Sequence, residues 1–184
     1  MKKIAIFFGS DDGNTESTAY RIARRLGEDV VDIYDVGEVR QLDFLGYEQL
    51  ILGIPTWDFG QIQSDWEEFW DDVKEIDFSG KTVAFVGLGD QFGYADFFLD
   101  AMGMLYDIVS KTADNIVGYW PIDGYDYVAS KAEIILENST EKKFVGLALD
   151  EDQQPELSSE RLNRWCYQIH SHFDLTTKFK ELQD

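Results

Sequence analysis

Five short apolar runs alternate with helical patterns along this chain, which predicts an α/β fold. The expected architecture is a doubly wound, five-stranded parallel sheet in the order 2-1-3-4-5, with helices on both faces and a long insertion splitting strand 5. Two further observations support it. The apolar runs are continuous, as in strands buried on both faces, and Gly-containing loops follow the first, third and fourth of them. No internal repeat, low-complexity tract or Pro/Gly/Ser linker interrupts the 184 residues, so one domain spanning residues 1–184 is expected.

Ile4 to Phe8 reads as the first buried strand. From Thr15 to Leu26, apolar Ala19, Ile22, Ala23 and Leu26 recur at helical spacing, and Gly27 is a fitting stop. Val30 to Tyr34 is the second strand, followed by a short, poorly patterned helix near Val39 to Phe44. Gln49 to Ile54 is the third strand. Ser64-Asp65-Trp66-Glu67 fits a capping box with Ser64 as the cap, and Trp66, Phe69, Trp70 and Val73 continue on one helical face. Thr82 to Gly87 is the fourth strand, and Phe98, Met102, Leu105 and Val109 mark the next helix face. Ile116 to Tyr119 begins the fifth strand, and Phe144 to Leu149 resumes it after a polar, irregular stretch. Leu162, Trp165, Ile169 and Phe173 line a last helix. Right-handed crossovers leave few topologies, and a sheet of this order binds ligands beyond the carboxyl ends of strands 1 and 3. Motifs are therefore sought after Phe8, after Ile54 and after Val86.

The formal net charge of −20 argues against nucleic acid, whose phosphates it would repel, and favours encounter with basic partners. Aromatics reach 15%, more than a plain core requires. Cys166 is the only cysteine, so no internal disulfide is possible, and a reducing compartment follows. The apolar run ending at Phe8 is too short for a signal peptide, and no stretch approaches the roughly 20 apolar residues of a membrane span. The expectation is a cytoplasmic monomer.

Gly9-Ser10-Asp11-Asp12-Gly13-Asn14-Thr15 joins the first strand to its helix. Amides at a helix N-terminus favour an anion. Ser10, Asn14 and Thr15 add side-chain donors, and Gly13 permits close approach. No Lys or Arg lies in this loop, so a phosphate there would be held by neutral donors. A plain capped turn explains the loop alone equally well. Neither the P-loop nor the dinucleotide G-x-G-x-x-G spacing is present. Ile54-Pro55-Thr56-Trp57-Asp58-Phe59-Gly60 and Gly87-Leu88-Gly89-Asp90-Gln91-Phe92-Gly93-Tyr94 follow strands 3 and 4 at the same sheet edge. Each carries Gly and a large aromatic. Trp57 and Tyr94 either plug the end of the sheet or face each other as a slot for a planar heterocycle.

These three loops, with Gly118-Tyr119-Trp120-Pro121, the run Phe144 to Asp152 and the Leu162/Trp165 helix, resemble the long-chain flavodoxins of bacteria and cyanobacteria nearly end to end. The insertion of about Ile122 to Lys143 resembles the long-chain class. Trp57-Asp58-Phe59-Gly60 and Leu99 to Leu105 are most similar to the second flavodoxin type of some enterobacteria. The resemblance implies a low-potential one-electron carrier with non-covalent FMN and no substrate or catalytic residue of its own. It implies that Ser10, Asp11, Asp12, Gly13, Asn14 and Thr15 surround the FMN phosphate. Pro55, Thr56 and Trp57 would lie on one face of the isoalloxazine, and Tyr94 would stack on the other. Asp58, Phe59, Gly60, Leu88, Gly89 and Asp90 would meet the ring edge, with Phe97 and Asp150 at the margins. A peptide within Asp58-Phe59-Gly60 would turn its carbonyl to the ring on reduction. Asp12 departs from the family, which usually has Thr there; a carboxylate repels phosphate and has no proton to donate.

The partners implied are a ferredoxin/flavodoxin–NADP reductase and acceptor redox enzymes, met through an acidic face of Asp58, Asp65, Glu67, Glu68, Asp71, Asp72, Asp90 and Asp96. Two other functions fit the topology. An FMN-dependent quinone reductase needs a second substrate cleft and a nicotinamide site. A phosphoaccepting receiver domain needs an acidic pocket, imitated by Asp11, Asp12 and Asp58, and a lysine after strand 5, where Pro121 follows Trp120 instead. His170 and His172 have no further ligands nearby in sequence, so no metal site is expected.

Overall fold

The first strand, β1 (Ile4–Phe8), is buried at all five positions, so neighbours must cover both of its faces. In the computed structural model, which describes residues 4–175 and 179–184, they do. The chain continues through α1 (Asn14–Leu26), β2 (Val31–Asp35), α2 (Gln41–Leu45), β3 (Gln49–Trp57), β4 (Gln61–Ile62), α3 (Ser64–Glu68), α4 (Trp70–Lys74) and β5 (Thr82–Leu88). It ends with α5 (Asp100–Val109), β6 (Asn115–Val117), β7 (Trp120–Pro121), β8 (Glu133–Ile135), β9 (Lys142–Phe144), β10 (Leu147–Leu149) and α6 (Ser158–His170).

The main path of the sheet is β2-β1-β3-β5-β10, all parallel. The fifth strand is split, as expected. β6 pairs with the first half of β5, Asn115 opposite Thr82, and β10 with its last residues, Leu147 opposite Val86. The predicted ends of the split need correction. The first half stops at Val117, and Trp165 Nε1 donates to the carbonyl of Gly118 at 2.8 Å. Phe144 leaves the main sheet and pairs with Trp120 in a small antiparallel sheet, β7-β9-β8. Its ring packs against Phe98, Tyr125 and Tyr127, an aromatic cluster that a one-dimensional pattern does not reveal.

β3 runs on to Trp57 because β4 folds back on it, pairing Ile62 with Thr56 and Gln61 with Trp57. This short hairpin carries Trp57 past the sheet end. The predicted helix after β3 is two segments, α3 and α4, meeting at Phe69, whose amide donates to Asp65 and whose carbonyl accepts from Val73. Its cap is Gln63, not Ser64. The Gln63 side chain accepts from the Trp66 amide, and its Nε2 donates to Asp11 at 2.9 Å and Asp65 at 2.6 Å. α1 packs against α6, and α4 against α5. Leu162, Trp165, Cys166 and Ile169 of α6 are buried, and burial pushes the Cys166 thiol well up from its ordinary range.

Candidate functional site

The loop between β1 and α1 turns at Gly13, whose φ of 87° belongs to the left-handed region that favours glycine. The first bond of the α1 ladder runs from the Ser17 amide to the Gly13 carbonyl. The amides of Thr15 and Glu16 therefore precede the ladder and have no partner within the helix. Thr15 is buried, and its hydroxyl has no partner among the described residues. A buried hydroxyl beside helix-start amides suits an acceptor-rich anion.

The other residues of this loop divide their duties. The Ser10 hydroxyl accepts from the Gly13 amide at 3.0 Å and holds the turn. Asp11 faces away and accepts from Gln63 and, at 2.8 Å, from the Ser64 hydroxyl. Asp12 accepts from both the amide and the side-chain Nδ2 of Asn14, each at 2.9 Å, so it closes the helix start. Asp12 nevertheless lines the adjacent cavity. Asp58 accepts from Tyr94. The three carboxylates that imitate a receiver pocket thus share no partner, and the described residues contain no cluster of groups fit to hold a metal.

The cavity lies at the carboxyl edge of the sheet and has a volume of about 200 Å³. Asp12 and Asn14 close one end, and Pro55, Thr56, Trp57 and Asp58 form one wall. Leu88, Gly89, Asp90 and Tyr94 form the other, with Glu151 and Asp152 below. Trp57 and Tyr94 therefore border one space, as a slot for a flat ring requires. Thr56 Oγ1 accepts from the Ala101 amide at 3.0 Å and ties its wall to α5. The indole Nε1 of Trp57 is buried without a partner among the described residues.

Eight predicted residues sit beside this cavity rather than in its lining, Ser10 and Asp11 among them. Gly13 and Thr15 belong to the anion loop. Phe59 is 72% exposed and meets Tyr94 and Phe97 edge-on, at centroid distances of 5.8 and 5.9 Å. Phe97 is the support beneath it. Gly60, with φ of 84°, packs on Asp100 so closely that a Cβ would lie 2.9 Å from Oδ2. It lines a second, neighbouring groove with Trp57, Asp58 and Glu67. Asp150 is fully buried behind the lining and accepts from the Gln91 amide and side chain. Sequence reasoning missed Glu151 and Asp152. They end the run Phe144 to Asp152 that carries the family resemblance, but their place in the lining depends on where β10 ends in space.

The cavity is acidic. Partial burial, then the charges of Asp90, Asp150, Asp12 and Glu151, hold the Asp152 carboxyl above its ordinary range. The Tyr94 hydroxyl is also raised, first by its hydrogen bond to Asp58. A ligand here meets neutral donors at its anionic end and a negative field along its length. Adding negative charge to such a ligand is disfavoured.

A sequence profile of the family described as Flavodoxin matches residues 6–165. The chain is 48% identical over 176 residues to a protein named Flavodoxin from Picosynechococcus sp., covering 95% of this chain and all (100%) of that one. It is 47% identical over 175 residues to Flavodoxin 1 of Escherichia coli, covering 95% of this chain and 97% of the relative. Among solved structures, Fusobacterium nucleatum flavodoxin bound to flavin mononucleotide superposes with a TM-score of 0.83 at 36% identity. That match covers 95% of this chain and 100% of the other.

Proposed function

This chain belongs to the flavodoxin family of electron-transfer proteins, and from that premise we propose how its residues hold FMN and meet redox partners. It is a carrier rather than an enzyme with its own substrate, and its cofactor is FMN. FMN supplies the acceptance and release of single electrons. The observation that carries the site is the cavity bordered by Trp57 and Tyr94 next to a helix start with an unpartnered, buried Thr15 hydroxyl.

In this reading residues 1–184 act as one FMN-binding unit. Thr15, Asn14, Ser10 and the helix-start amides bind the phosphate, with Gly13 allowing close approach and Asp11 and Asp12 shaping the loop. Pro55, Thr56 and Trp57 support one face of the ring and Tyr94 the other. Asp58, Phe59, Gly60, Leu88, Gly89 and Asp90 border its edge. Asp58 (φ 42°) and Gly60 (φ 84°) flank Phe59 with left-handed backbone. That pairing suits a peptide that turns its carbonyl toward a reduced ring. Phe97 and Asp150 act from behind.

The acids around the cavity disfavour added charge and so lower the potential at which the ring gives up electrons. Exposed Asp58, Glu67, Glu68, Asp71, Asp72 and Asp96, with the half-buried Asp65 and Asp90, form an acidic face beside it. A basic face on a ferredoxin/flavodoxin–NADP reductase, and on the final acceptor, is its complement. Among the described residues no helix is long and apolar enough to cross a membrane. We assign the carrier to the cytoplasm as a monomer.

The test is reconstitution followed by transfer. Apoprotein titrated with FMN turns yellow with quenched flavin fluorescence, accepts electrons from the reductase and passes them to an acceptor. A protein that takes up no FMN overturns the reading, and rapid bleaching by NAD(P)H alone makes it a reductase instead.

A further inference from the structure

Gln91 stands behind the ring-binding wall and joins its own loop to two other segments. Its amide and its Nε2 both donate to Asp150 Oδ2, at 3.0 and 2.7 Å. Its Oε1 accepts from the Asp126 amide at 2.6 Å, in the insertion that splits the fifth strand. Gln91 and Asp150 are both fully buried. Asp150 uses its other oxygen to hold the turn after β10, accepting from the Asp152 and Gln153 amides.

The same three segments are stitched together further out. The Gly89 amide donates to the Leu149 carbonyl. Gln153 Nε2 donates to Asp90 Oδ1, which also accepts from the Phe92 and Gly93 amides. Val128 and Ala129 of the insertion both donate to the Ala95 carbonyl, and the Phe98 amide donates to Ala129. Tyr94 thus sits on a loop with little regular structure of its own, held from the rear by the insertion and the turn. Within that loop, Gln91 is the described side chain that bonds both.

We propose that Gln91 is a positioning residue for the cofactor ring. Through Asp150 and the Asp126 amide it couples the insertion to the wall that carries Tyr94, Gly89 and Asp90. This rests on the FMN-binding reading. It goes beyond that reading by giving the insertion a role in the site and giving a role to a residue outside the cavity lining. The latch serves the ring end only, because the phosphate loop between β1 and α1 shares none of its hydrogen bonds.

The test compares FMN with riboflavin, which has the ring but no phosphate. In Gln91→Met the loss of buried hydrogen bonds weakens both ligands by the same factor, on the order of tenfold. The ratio of their affinities, which reports the phosphate loop, stays at the wild-type value. Residual flavin fluorescence in the complex rises, because the Tyr94 wall no longer holds one position. If Gln91→Met does not fold, Gln91→Glu retains the size and the acceptor for Asp126 while replacing the donor to Asp150 with a second carboxylate, and the same pattern is expected. Wild-type affinity and quenching in a folded variant, with only the melting temperature lowered, overturn the proposal. So does a loss confined to FMN. A wild-type protein that binds neither ligand would instead remove the FMN-binding reading.

Discussion

The Tyr94 hydroxyl donates to Asp58 Oδ1 at 3.1 Å, joining the loops after β3 and β5 across the mouth of the cavity. Two loops that carry opposite walls are thereby connected to each other as well as to the sheet. Tyr94→Ala removes both the ring and this bond and is expected to weaken FMN binding by about 1–3 kcal/mol. Tyr94→Phe keeps the ring and is expected to lose about 1 kcal/mol or less. Dissociation constants from fluorescence titration separate the two. Equal losses would show that the hydroxyl, not the ring, carries the effect.

Asp12 combines two roles that conflict. It closes the start of α1 through Asn14, and it brings a carboxylate to the cavity end where a phosphate is proposed. Asp12→Thr is expected to tighten FMN binding, most visibly at low salt, because screening weakens the repulsion it relieves. The same change is expected to cost on the order of 1 kcal/mol or less in apoprotein stability, since a threonine hydroxyl replaces the carboxylate that holds the Asn14 amide and side chain. Parallel affinity and urea-unfolding measurements check both halves.

Fully buried Arg25 of α1 pairs with Asp184 at 2.8 Å and also donates to Asn163 and Ser159. Asp184 binds Arg21 as well, and Arg21 reaches Glu151 in the cavity lining at 3.4 Å. Burial raises the Asp184 carboxyl, but the hydrogen bonds and charges of Arg21 and Arg25 outweigh it and hold the group below its ordinary range. Its stabilisation is therefore full above the unfolded value, about 4, and is lost as pH falls through the lower folded value. Asp184→Ala is expected to cost about 3 kcal/mol at neutral pH, because a buried guanidinium loses its carboxylate. The gap to wild type should close in acid. A pH-independent difference in unfolding free energy would rule out this pairing as its source.

The acidic face predicts a salt-dependent encounter. Reversing Glu67 and Asp71 to Lys together should slow second-order reduction by the reductase at low ionic strength. It should leave FMN affinity unchanged, since neither residue lines the cavity. The difference should shrink toward physiological salt, where the Debye length is about 8 Å. Stopped-flow rates over a salt series measure it, and rates indifferent to salt in both proteins would remove electrostatic docking at this face.

What the sequence alone determined was the part governed by local periodicity and by loop position. Continuous apolar runs such as Ile4–Phe8 demand burial on both faces, and alternation with helices demands a parallel sheet. The carboxyl edge then brings Asp12, Asn14, Trp57, Gly89 and Tyr94 to one place from three distant loops. Tertiary structure alone decided what depends on how side chains meet across those loops. Gln63 displaces Ser64 as the helix cap because its amide also reaches Asp11 in the loop after β1. Phe144 abandons the main sheet for an aromatic cluster built from the insertion. Glu151 and Asp152 join the cavity because β10 pairs with the last residues of β5. Asp150 turns inward because a buried carboxylate needs donors, and two of those come from Gln91, brought beside it only when β10 has docked on β5. Periodicity is a property of neighbours in the chain; a hydrogen-bond partner 59 residues away is a property of the folded surface that brings the two together.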